Sequence, residues 1–87
     1  MAISTDLEVG RSVLQKFGAD AQFASSHQFT LRKQGVQWIV APNKSATNDT
    51  LLNSALLEEG HVLKSGDVLS VGNAMKGISK LELLVKL

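Results

Sequence analysis

Eighty-seven residues with nine basic and eight acidic side chains, net charge +1, make one domain spanning 1–87 and no more. The chain has no Cys, and its two His (His27 and His61) do not make a zinc site alone, so disulfides, thiol nucleophiles, resident metals and cofactors are not expected. The near-neutral charge argues against a nucleic-acid coat, and no apolar run approaches the roughly 20 residues of a membrane span; Met1–Gly10 carries Asp6 and Glu8 and no basic residue, unlike a secretory signal, which makes the cytoplasm the expected address.

Seven glycines fall between short apolar runs, the punctuation of many short strands. Ile3–Val9 reads as a strand, with Ile3, Leu7 and Val9 in phase. Ser12–Phe17 reads as one or two helical turns, capped by Ser12 and stopped by Gly18. Gln28–Lys33 alternates, Phe29 and Leu31 opposing Gln28, Thr30 and Arg32. A turn at Gln34-Gly35 and a resumed alternation over Gln37–Ala41, with Trp38 and Val40 in phase, make an antiparallel hairpin. Pro42–Asp49 is rich in Asn, Ser and Thr, residues that bond their own backbone in turns, and is the best candidate for a functional loop on a sheet scaffold. Leu51–Glu59 taken alone has good helix formers and places Leu51, Ala55 and Leu56 on one helical face. Lys64–Asp67 is a polar turn before the β-branched run Val68–Val71. Ile78–Leu87 is the clearest strand, with Leu81, Leu83, Val85 and Leu87 alternating against Lys80, Glu82 and Lys86. The expected core is Leu31, Trp38, Val40, Leu52, Leu69, Val71, Leu83 and Val85.

Catalytic arrangements find little support. Ser26 and His27 are adjacent, and neighbouring residues on a strand face opposite sides, so they form no local dyad. There is no Gly-x-Ser-x-Gly elbow, and no Gly-rich phosphate loop opens a helix. Glu58-Glu59 before Gly60 reads as a solvated turn. The chain is therefore not expected to be an enzyme. Binding is better supported. Gly10-Arg11 ends the first strand with a guanidinium, which holds phosphate in a bidentate fork. Ser25-Ser26 brings two hydroxyls before the next strand, and Thr47-Asn48 closes the polar loop. Each is alone an ordinary turn or cap residue, but three strand-end loops in this order can present donors to one anion.

These residues resemble the forkhead-associated (FHA) domain. Its pattern runs Gly-Arg, Ser-x-x-His, a hairpin, Asn-Gly-Thr-x-x-Asn-Gly, then Leu-x-x-Gly-Asp. Here Gly10-Arg11, Ser25-Ser26-His27-Gln28, Thr47-Asn48-Asp49-Thr50-Leu51-Leu52-Asn53-Ser54 and Leu63-Lys64-Ser65-Gly66-Asp67 follow in that order, covering Val9 to Val85. The resemblance implies an all-β antiparallel sandwich with phosphate-binding loops at one end. It replaces the helix at Leu51–Glu59 with a short strand, Thr50–Leu52, and a turn at Asn53–Ser54. It implies a non-enzymatic module for phosphothreonine peptides, with Arg11, Ser25, Ser26, Thr47 and Asn48 as binding residues and Gly10, Gln28 and Asn53 as structural support of the loops.

The sequence departs from the pattern in four places. Gln28 stands where the family has His. Asp49 and Ser54 replace glycines, which matters wherever the backbone needs a positive φ, and Asp49 adds a negative charge near an anion site. Family members commonly have more chain before Gly-Arg, so a sheet edge is expected to be exposed or paired with a second copy. The alternatives are an FHA-like scaffold that has lost phosphate binding, and, from Leu52-Asn53 through Gly66–Leu69, an RNA-binding domain of the S4 type, whose basic helices the chain lacks.

Overall fold

Short β-branched and aromatic runs broken by Gly, Asn and Ser favour strands over long helices. The computed structural model describes residues 1 and 3–87. In chain order it has β1 (Leu7–Val9), α1 (Arg11–Leu14), 3₁₀ turns at Gln15–Phe17 and Ala19–Phe23, β2 (Phe29–Gln34), β3 (Gln37–Pro42), β4 (Asp49–Leu52), β5 (Ala55–Leu56), β6 (His61–Leu63), β7 (Val68–Asn73) and β8 (Ile78–Leu84). Two four-stranded antiparallel sheets result, ordered β1-β2-β3-β6 and β5-β4-β7-β8. This is the all-β antiparallel sandwich expected. No helix among the described residues is long and apolar enough to cross a membrane.

The register of the β2–β3 hairpin pairs Gln34 with Gln37, so the two-residue loop is Gly35–Val36, one residue later than expected. Gly35 takes φ 64°, which a residue without Cβ adopts freely and which matches the twist of a tight hairpin. A second hairpin joins β4 to β5 through Asn53 (φ 51°) and Ser54 (φ 69°). Positive φ at both central residues is the signature of a type I′ turn, and it removes the helical alternative for Leu51–Glu59.

Val9, Phe29, Leu31 and Val40 from one sheet meet Leu69, Val71 and Leu83 from the other in a closed core. Burying each of these side chains contributes about 1.5–3 kcal/mol. Of the expected core, only Trp38 is not buried; it is half-exposed and packs against the cluster from its rim. The reading of strand phases missed Leu14, Ala21 and Ala24, which are buried. They belong to the segment between β1 and β2, where small residues in irregular turns leave no periodic signal.

The last strand keeps its expected phase but carries an irregularity. Val71 pairs with Lys80 and Leu69 with Leu83, so Leu81 and Glu82 together oppose Ser70 alone. This is a β-bulge, and Leu81 carries it at φ 51°. Leu83 and Val85 reach the core as expected and Leu81 is half-buried, while Lys80, Glu82 and Lys86 are exposed; Leu87, also exposed, is the one departure from the expected alternation. The first strand is also shorter than expected, starting at Leu7. Upstream of it, Ile3 N–H donates to the Lys86 carbonyl (3.2 Å) and Lys86 N–H to the Met1 carbonyl (2.9 Å). The chain start therefore lies along the chain end, beside the outermost strand β8.

Candidate functional site

The site is assembled where β1, β2 and β4 meet the loops before and after them. Gly10 has extended backbone, and its glycine is required by proximity rather than by φ. A Cβ there would lie 1.8 Å from the Ser26 carbonyl oxygen. With that approach allowed, Arg11 N–H donates to the Ser25 carbonyl at 3.0 Å. Gly10 is also the N-cap of α1, which begins at Arg11 with no side-chain cap, so Ser12 is not the cap expected. Gly18, at φ 148°, lies between the two 3₁₀ turns and ends the helical stretch.

Arg11 is exposed, and its Nε donates to the Ala24 carbonyl at 3.0 Å. Among the described residues the terminal Nη groups of Arg11 have no hydrogen-bond partner. Ser25 Oγ accepts the Thr47 N–H at 3.1 Å, which ties the second loop to the third. Its hydroxyl proton and the exposed hydroxyls of Ser26 and Thr47 are further donors. Direct bonds thus link Arg11, Ser25 and Thr47, and Ser26 is held by packing against Gly10. Asn48 is partly committed: its Nδ2 donates to the Phe23 carbonyl at 2.7 Å, leaving Oδ1 as an acceptor.

Gln28 braces these loops from beneath and is fully buried. Its Oε1 accepts the Ser25 N–H (3.0 Å), and its Nε2 donates to the Asn48 carbonyl (2.9 Å) and Thr50 Oγ1 (2.9 Å). Two donors and one acceptor are used at once. A neutral imidazole has one donor and one acceptor, so Gln at this position makes a bond that His cannot.

The bracing has a part that sequence reasoning missed. Asn43 Nδ2 donates to the His27 carbonyl at 2.7 Å, Asn43 N–H to the Gln28 carbonyl at 3.0 Å, and Asn43 Oδ1 accepts from Ser45 N–H at 3.2 Å. The visible signal was Pro42-Asn43-x-Ser45, an Asx turn opening the polar loop. His27 pairs its Nε2 with Thr30 Oγ1 at 2.9 Å, on β2 and not with a serine.

Asp49 does not take the positive φ that a glycine position suggested. It begins β4, and its Oδ2 accepts the Ala74 N–H at 2.9 Å, anchoring the turn between β7 and β8. Ser54 does take the positive φ and is the strained substitution of the two.

Asn53 lies at the other end of β4. Its Nδ2 donates to Asp67 Oδ1 (3.0 Å), its Oδ1 accepts the Val68 N–H (2.8 Å), and its N–H donates to the Val68 carbonyl (2.7 Å). Asp67 Oδ2 accepts the Lys64 N–H at 2.8 Å. The Asn53 amide first, then the Lys64 N–H, hold the Asp67 carboxyl below its ordinary value of 3.8. Among the described residues no three His, Asp or Glu side chains are grouped to hold a metal ion.

Three loops fastened to one another, with a guanidinium and hydroxyls left over, form a donor cluster suited to an anion. The FHA domain family model matches residues 7–72, from β1 into β7, and so takes in every loop of this cluster. The chain belongs to the FHA domain family. No curated protein and no solved structure gives a match. FHA domains are in general interaction modules for phosphorylated protein partners, not enzymes, and the S4-type alternative gives way to this membership.

Proposed function

We propose that this FHA domain binds phosphothreonine peptides through Arg11, Ser25, Ser26, Thr47 and Asn48. The reading rests on one observation above the others: the Arg11–Ser25 and Thr47–Ser25 bonds draw three loops together while, among the described residues, the Arg11 Nη groups and the hydroxyl protons of Ser25, Ser26 and Thr47 are left without partners. A phosphate ester brings a charge of about −1.5 to −2 and three acceptor oxygens. Arg11 supplies the bidentate fork, Ser25 and Thr47 supply hydroxyl donors, and Asn48 Oδ1 accepts from the peptide backbone. A carboxylate has fewer oxygens and less charge, so the cluster favours phosphate.

The test is calorimetric titration with phosphothreonine peptides and their unphosphorylated controls. Arg11→Ala is expected to weaken binding by about 2–5 kcal/mol for a desolvated pair, with the melting transition nearly unmoved. Arg11→Lys restores only part of it, because an ammonium cannot form the planar fork. Equal binding by wild type and Arg11→Ala places the site elsewhere. The same affinity for phosphorylated and unphosphorylated peptides removes the reading in favour of a scaffold domain, which the Asp49 carboxylate beside Asn48 would suit.

A further inference from the structure

The sandwich is open at one corner, beside β1. Residues two apart on a strand share a face, so Leu7 points the same way as Val9. Val9 is fully buried, yet Leu7 is 40% exposed. A groove of about 370 Å³ lies there, lined by Met1, Leu7, Val13 and Phe17 together with Lys16 and Lys86. Met1 and Val13 pack against the core cluster, and Phe17 is 38% exposed. The Lys16 ammonium lies 5.2 Å from the centre of the Phe17 ring, over its face, which favours a cation held at the rim. Among the described residues that line the groove none is acidic, and none belongs to the anion cluster or its braces.

These features define what fits. The floor is apolar and continuous with the core, so an apolar side chain gains by burial there. Two rim cations with no acid among the lining residues favour acidic neighbours of that side chain and oppose basic ones. β1 pairs only with β2 and leaves an open sheet edge, beside which an extended segment can lie. A second copy related by a two-fold axis would instead bring the lysines of both grooves to one interface. We propose that this groove docks a short extended segment of another protein, apolar at its centre and acidic on its flanks, without need of phosphorylation and apart from the phosphopeptide site.

The experiment selects on the immobilised domain from a display library of random unphosphorylated heptapeptides, then titrates the selected peptides by NMR. They are expected to carry Leu, Ile or Phe beside Asp or Glu, and to shift the amides of Leu7, Val13 and Phe17. Lys16→Gln and Lys86→Gln should each weaken them by up to about fivefold at low salt, the scale of an exposed ion pair, and by less as salt is raised. Phe17→Ala should weaken them by about tenfold, and the two lysine variants decide the matter if that variant does not fold. Arg11→Ala should leave them unchanged. Selection of no peptide, or of peptides without acidic residues, overturns the proposal. So does loss of binding in Arg11→Ala, which places acidic peptides on the anion cluster. Self-association that shifts the same amides assigns the groove to a second copy, and binding of phosphatidylserine vesicles that depends on both lysines, with no peptide selected, assigns it to a membrane; either overturns the proposal.

Discussion

The two ends of strand β4 carry similar side chains and do different things. At its C-terminal end Asn53 uses its N–H, Nδ2 and Oδ1 on Asp67 and Val68, and Asp67 uses both oxygens on Asn53 and Lys64. The network closes on itself. At the N-terminal end Asn48, Asp49 and Gln28 are similarly engaged, but they hold up a layer above them in which Arg11, Ser26 and Thr47 keep free donors. Polar residue type therefore does not mark a binding site. What marks it is donor capacity left over after the backbone has been satisfied, on a surface rigid enough to hold it in place.

This contrast can be broken first at Gln28. Removing a buried side chain that satisfies Ser25, Asn48 and Thr50 leaves several groups unpaired, so Gln28→Ala should cost about 3 kcal/mol or more in urea unfolding. Gln28→His should recover part of that loss, since an imidazole replaces at most two of the three bonds. A variant as stable as wild type would show that the loops do not depend on this brace.

Asn53→Ala should cost about 1–3 kcal/mol by the same measurement, through unpaired Asp67 and Val68 groups and loss of a residue tolerant of positive φ. Its folded fraction should keep wild-type peptide affinity, because the change lies at the closed end. Loss of affinity without loss of stability would reverse the roles of the two ends.

A smaller effect, of opposite sign, is expected next door. Ser54→Gly should raise stability by about 0.5–1 kcal/mol in thermal or urea unfolding, relief of left-handed backbone strain outweighing the added freedom of the unfolded chain. Destabilisation would mean that the Ser54 side chain contributes more than its backbone costs.

The smallest effect concerns pH. The Asp67 carboxyl is lowered in the folded state, so its stabilisation is present above the ordinary value of 3.8 and is lost as pH falls through the lower folded value. The stability difference between wild type and Asp67→Asn should therefore be constant near neutrality and shrink below about pH 4. In an Asn53→Ala background the dependence should weaken, because its largest cause is gone. A difference independent of pH would deny the Asn53–Asp67 contact its role.

The residues themselves were sufficient for the class of fold and for the order of the candidate loops. Alternating apolar residues on β2 and β3, glycines at the turns, and the Gly10-Arg11, Ser25-Ser26 and Thr47-Asn48 elements are local patterns, and a local pattern is legible in one dimension. Other features depended on what lies across the sandwich. Gly10 stands out through its motif, but the reason it must be glycine appears only once the Ser26 carbonyl is found against it. Asp49 reads as a misplaced glycine until Ala74 is found on its carboxylate. The bulge at Leu81 leaves no mark on the alternation of its strand, because register is set by the partner strand and not by the strand's own sequence. Leu14, Ala21 and Ala24 became core only once the sheets left a gap for them to fill. Periodicity and turn chemistry act between near neighbours in the chain. Close approach, register and unused hydrogen-bonding capacity arise between residues far apart in sequence, so only the folded structure decides them.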